Sequence, residues 1–86
     1  MTATAPTIHL NGTSGKDLWK EYHAAYKAID AAIDALCDAT CNGRDFYPQG
    51  PAAFSQARSE RDEALRKLRE VKLYTEEVLM GIMAQQ

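Results

Sequence analysis

The sequence predicts an all-α protein: an antiparallel two-helix hairpin with a short extended N-terminal segment, associating into a homo-oligomeric helical bundle. Three observations predict it. Two long stretches carry apolar residues at alternating intervals of three and four, the period of a helix with one buried stripe. A single turn-rich stretch, Asn42 to Gly50, separates them. The chain has 86 residues, enough for one domain, and a lone hairpin of that length leaves a wide apolar face with nothing behind it.

Residues 1–13 make up a leader and the extended segment. Met1 to Pro6 reads as a flexible leader. It lacks both the basic start and the apolar core of a signal peptide. Thr7-Ile8-His9-Leu10-Asn11 alternates, with Ile8 and Leu10 on one side, and Asn11-Gly12 turns the chain.

Helix 1 is predicted over residues 14–41. Ser14 followed by Asp17 fits a capping box, with Thr13 as a competing cap. Leu18, Tyr22, Ala25, Ile29, Ala32 and Leu36 form a seam, and Trp19, Tyr26 and Ile33 a second stripe beside it. Asn42-Gly43 suits a left-handed C-cap. The loop occupies residues 42–50, and helix 2 is predicted over 51–85, with Pro51 at its first position. Its seam runs Phe54, Ala57, Arg61, Ala64, Leu68, Val71, Thr75, Val78 and Ile82, widened by Leu65, Leu79 and Met83.

Folding the helices antiparallel about the loop sets Tyr22 opposite Val71 and Trp19 opposite Tyr74. The acidic row Asp30, Asp34 and Asp38 then faces Arg58, Arg61 and Arg66, so interhelical ion pairs are expected there. Arg61, on the seam itself, is expected to pair with Asp30 or Asp34 or to face a polar cavity. Helix 2 outruns helix 1, and Ile8 and Leu10 are the natural cover for the overhanging Leu79, Ile82 and Met83.

Composition excludes several functions. Twelve acidic residues against ten basic ones leave a net charge of −2, too little positive charge for a binder of nucleic acid duplexes. No apolar run approaches the roughly 20 residues of a membrane span, so a cytoplasmic protein is expected. Cys37 and Cys41 share a helix face, but no second Cys or His pair accompanies them. No metal or cofactor is expected, and the two thiols read as reduced and packed or partly exposed. His9 and His23 have no nucleophile or acid beside them in a recognisable motif, and His23 reads as a flanking surface residue. The chain is therefore expected not to be an enzyme.

Two segments stand out as candidates for ligand binding. The loop spends Arg44, Asp45, Phe46 and Tyr47 where small polar residues would do. Arginine grips phosphate, aromatic faces stack bases, and Asp accepts from ribose hydroxyls. The alternative is that Phe46 or Tyr47 plugs the open end of the bundle, with Arg44 and Asp45 pairing locally. The second segment contains Asn11, Thr13 and Ser14 at the start of helix 1, where free N–H groups attract anions. Its alternative is an ordinary turn and cap. The segments lie about 40 Å apart along helix 1, so one chain cannot join them. An antiparallel pairing of two hairpins can, placing a shared site between subunits.

The stretches Thr7-Ile8-His9-Leu10-Asn11-Gly12-Thr13-Ser14 and Asn42-Gly43-Arg44-Asp45-Phe46-Tyr47-Pro48-Gln49-Gly50 resemble segments of small uncharacterised helical-hairpin proteins of tailed phages and prophages. Those proteins carry Tyr-Tyr where this chain has Phe46-Tyr47. The resemblance covers nearly the whole chain and carries no catalytic residues with it. It implies a phage-encoded protein working in the host cytoplasm as a counter-defence factor, an assembly accessory or a regulator. Three functions follow as expectations. The first is sequestration of a nucleotide immune signal in intersubunit pockets. The second is inhibition or bridging of a host protein. The third is a structural coiled-coil part in phage assembly.

Overall fold

The computed structural model describes residues 3–86 as an elongated hairpin of 61 × 22 × 16 Å. Helix α1 spans Gly15–Asp38, a 3-10 helix (η1) spans Gly43–Gln49, and helix α2 spans Ala53–Met83. No strand occurs among the described residues. Helices α1 and α2 pack against each other along the hairpin, as the sequence pattern requires.

Helix α1 opens where expected. Ser14 is its N-cap, and its Oγ accepts from the Asp17 amide at 3.1 Å. The helix ends earlier than predicted. Ala39 turns to extended backbone, so Thr40 and Cys41 lie outside it. Asn42-Gly43 is not a left-handed cap: Asn42 is extended, and its side-chain oxygen accepts from the Arg44 amide to start η1. Among the described residues, Gly50 alone has a left-handed φ, 103°, at the exit from η1. Pro51 and Ala52 form a turn before α2 rather than its first residues.

The core is small and lies mostly on the second half of α2. Ile33, Leu65, Val78, Leu79 and Ile82 are buried, with Val78 and Ile82 fully so. Thr75 is also buried and satisfies its hydroxyl by donating to the Lys72 carbonyl at 2.7 Å. Several predicted seam positions are exposed: Ala25, Ala32, Ala64 and Val71. On α1 the covered positions include Tyr22 and Ile29 of the predicted seam with Tyr26 and Ile33 of the second stripe; Ile33 is buried and the other three are partly covered.

The helices are offset from the expected register by about one to two turns. Tyr74 and Val71 are about half exposed instead of covering Trp19 and Tyr22. Trp19 stacks on His23, with ring centroids 4.4 Å apart, so His23 is partly covered rather than a plain surface residue. The expected ladder between the acidic row and Arg58, Arg61 and Arg66 does not form. Asp30 pairs with Lys72 at 2.7 Å, and that ammonium lies 5.5 Å from the centre of the Tyr26 ring. Arg66 pairs within its own helix, with Glu63 and Glu70. Its hydrogen bond holds the Glu63 carboxyl below the usual range.

Arg61 takes neither expected role. Its Nη2 donates to the carbonyls of Leu36 at 2.9 Å, Cys37 at 2.6 Å and Ala39 at 3.5 Å. These carbonyls lie at the end of α1, where the helix leaves its last acceptors open; Leu36 also accepts from the Ala39 amide at 3.3 Å. Helix α1 has no basic residue in its last turn, so α2 supplies the positive charge there.

The leader also differs from expectation. Met1 and Thr2 lie outside the described residues, but the chain from Ala3 to Ile8 is tied along the end of α2. The Ala3 amide donates to Glu77 Oε2 and the Ile8 amide to Gln85 Oε1, each at 2.8 Å. Gln85 Nε2 donates back to the Pro6 carbonyl at 2.8 Å. Gly81 leaves room for this segment: a Cβ there would sit 2.4 Å from the Ala5 Cβ. Ile8 is half-buried and abuts Gly15, but Leu10 sits on the turn and is 99% exposed, and Met83 stays 56% exposed.

Candidate functional site

The candidate site is η1 and the start of α2. The Asn42 side chain and carbonyl accept from the Arg44 and Asp45 amides, at 3.2 and 3.1 Å. At the far end the Gly50 amide donates to the Tyr47 carbonyl at 3.3 Å. Pro48 sits inside the turn with its φ already fixed. The segment is thus held at both ends by its own hydrogen bonds.

The two aromatics divide their roles. Phe46 is half-buried and packs at a tilt on Phe54 of α2, with ring centroids 6.1 Å apart. This is the plug anticipated for the end of the hairpin. Tyr47 is 77% exposed and plugs nothing. Between the two rings opens an apolar cleft of about 640 Å³, lined by Gly43, Phe46, Tyr47, Gly50, Pro51 and Phe54. Gly43 faces the Phe54 ring, which a Cβ there would meet at 3.7 Å, an ordinary van der Waals contact.

The charged pair of the loop points into solvent. Arg44 and Asp45 are both exposed, and among the described residues neither takes part in an ion pair. The local Arg44–Asp45 pairing considered from the sequence does not form. The arrangement offers a cation and a flat aromatic face on one short, braced turn beside an apolar recess. Such groups bind an aromatic anion.

The second predicted segment lies at the other end. Asn11 and Thr13 are exposed, and the Gly12 amide donates to the His9 carbonyl at 3.1 Å to close the turn. Ser14 is committed to capping α1. Gly15 abuts Gln86, at the far end of α2 from η1. One chain therefore does not bring Asn11, Thr13 and Ser14 to Arg44, Asp45, Phe46 and Tyr47.

Among the described residues no group of three or more His, Cys, Asp or Glu could hold a metal ion. Cys37 is exposed and Cys41 partly covered, and both are free thiols. No helix of the described residues is long and apolar enough to cross a membrane. Sequence reasoning missed Arg61 as a cap and Gln85 as the tie for the leader. An arginine on an apolar seam was the only signal for the first, and nothing marked the second.

The chain matches no family model, no curated protein and no solved structure.

Proposed function

We propose that the chain is a non-enzymatic binding protein whose loop takes a nucleotide-type small molecule. One observation carries this: Tyr47 and Arg44 are both presented to solvent, without a partner among the described residues, on a turn braced at each end. A stacking face and a guanidinium held without flexible loop backbone lose little entropy on binding. Phe46 and Phe54 supply the apolar wall. The resemblance to phage proteins supports a counter-defence setting in the host cytoplasm, with the ligand a nucleotide immune signal that is sequestered and not turned over. In that reading Asn11 and Thr13 of a second copy complete the pocket.

The test is a thermal-shift screen against cyclic di- and trinucleotides, cyclic ADP-ribose isomers, NAD and inorganic phosphate. A ligand at a thousand times its dissociation constant adds about 4 kcal/mol to the folded state. A shift that Arg44→Ala and Tyr47→Ala each abolish supports the reading. A folded protein unmoved by every compound sinks it.

A second reading has its own observation. Leu73, Tyr74 and Met80 are half or more exposed along α2, among Glu70, Glu76 and Glu77. An apolar strip rimmed by carboxylates suits a basic protein surface, which supports an inhibitor or adaptor of a host protein. A stable complex recovered from host extract, lost in Leu73→Glu and kept in Arg44→Ala, favours it over the first.

A further inference from the structure

We propose that two copies of the chain pair antiparallel through the face of α1 that points away from α2. The pairing is argued from the surface of α1 and does not depend on the loop taking a ligand.

A folded monomer of 9.5 kDa exposes roughly 5,000 Å² on the usual scaling. This chain exposes 6385 Å². That surplus belongs to the whole elongated hairpin, 61 × 22 × 16 Å; a standard protein interface removes about 800 Å² from each partner, so the chain has surface enough for one such contact.

Lys20, Lys27 and Asp34 recur every seven residues along one flank of α1, and Asp38 follows one turn later. All four are exposed, and among the described residues none is in an ion pair. The flank is thus positive in its first half and negative in its second. A parallel copy would bring this flank beside the opposite one, which carries Ala25 and Ala32, and so would not join these charges to one another. An antiparallel copy sets Lys27 beside the second copy's Asp34 and Lys20 beside its Asp38, and the twofold repeats both pairs.

Between that flank and the opposite one lie Ala24, Ala28, Ala31 and Ala35, all exposed, at the spacing of one helix face. The register that joins the charges sets Ala28 against Ala31 and Ala24 against Ala35. Small side chains there let the helix axes approach to about 8 Å, the close end of the usual range. No large side chain obstructs the face along these turns.

The same register carries the Asn11–Ser14 turn of each copy to the level of the Arg44–Tyr47 turn of the other. The fully exposed Leu10 then comes to the end of the molecule where the partner's apolar cleft opens. A binding site shared between copies rests on both this pairing and the ligand reading.

Analytical ultracentrifugation of the purified chain tests the pairing without any ligand. The expected result is a dimer, or a multiple of one, at tens of micromolar. Lys27→Asp should weaken it about tenfold or more, because each substitution places two repulsive contacts across the twofold. Asp34→Lys should do the same, and the two together should restore association. Ala28→Arg should give a monomer of unchanged helix content by circular dichroism. A wild-type monomer would overturn the proposal, as would an oligomer indifferent to both Ala28→Arg and Lys27→Asp. Because the readout is mass, failure here leaves the thermal-shift result standing, and the reverse holds.

Discussion

Arg61 of α2 donates to the carbonyl of Cys37 at 2.6 Å, so the second helix caps the first. The contact joins residues 24 apart in sequence and replaces the left-handed turn that Asn42-Gly43 would have made. Its cost is also visible: Arg61 Nε is buried with no hydrogen-bond partner. Arg61→Ala is expected to lose about 1–3 kcal/mol, the range for hydrogen bonds from a charged donor. Arg61→Met should lose less, since it keeps the stem and removes the unpartnered Nε. Urea denaturation of both variants checks the order. Amide exchange should rise in the last turn of α1 in each.

The Lys72–Asp30 pair gives a signed pH dependence. The hydrogen bond to Asp30 raises the Lys72 pKa above its ordinary value. A raised pKa in the folded state means stability that is fully present below the unfolded value, about 10.4. It is lost as pH climbs through the folded value. Melting temperatures of wild type and Lys72→Met should therefore differ by a constant amount from pH 6 to 9 and converge at higher pH. Convergence below pH 8 would refute this assignment.

Gly81 carries a prediction of opposite sign to helix propensity. Alanine is favoured over glycine in a helix interior by about 1 kcal/mol. Here the added Cβ would lie 2.4 Å from the Ala5 Cβ, which cannot move without its backbone. Gly81→Leu should therefore release the leader. Exchange protection of the Ala3 and Ile8 amides, both bonded to α2 side chains, is the measurement. Protection equal to wild type would show that the leader does not depend on this contact.

The two loop aromatics should separate in stability. Phe54→Ala removes a half-buried ring that carries Phe46 and should cost about 1–2 kcal/mol, below the value for a fully buried ring. Tyr47→Ala, at an exposed position, should stay within about 0.5 kcal/mol of wild type. Chemical denaturation distinguishes them. A large loss at Tyr47 would make it structural and remove the best support for a binding loop.

Much of the candidate site was legible in the sequence because its signals are local. Adjacent aromatics in a connection are conspicuous, but the braced 3-10 turn was not legible: Asn42-Gly43 reads as a left-handed helix cap, whereas Asn42 is extended and starts η1. What the sequence left open was which ring faces inward. That depends on Phe54, since only the packed structure shows Phe46 meeting it and Tyr47 left outside.

The same division holds for the fold. Two long helices, the break between Asn42 and Gly50, and the Ser14 cap follow from periodicity and neighbouring residues, so the sequence by itself determined them. Register, the Arg61 cap, the Lys72–Asp30 pair and the docked leader were decided only in three dimensions. The physical reason is that both helices carry apolar stripes wider than one contact line. Such stripes repeat every turn, so the apolar pattern by itself does not single out one register. It is selected by specific pairs between distant residues, an arginine meeting open carbonyls and a lysine meeting one aspartate of three, which no local pattern encodes.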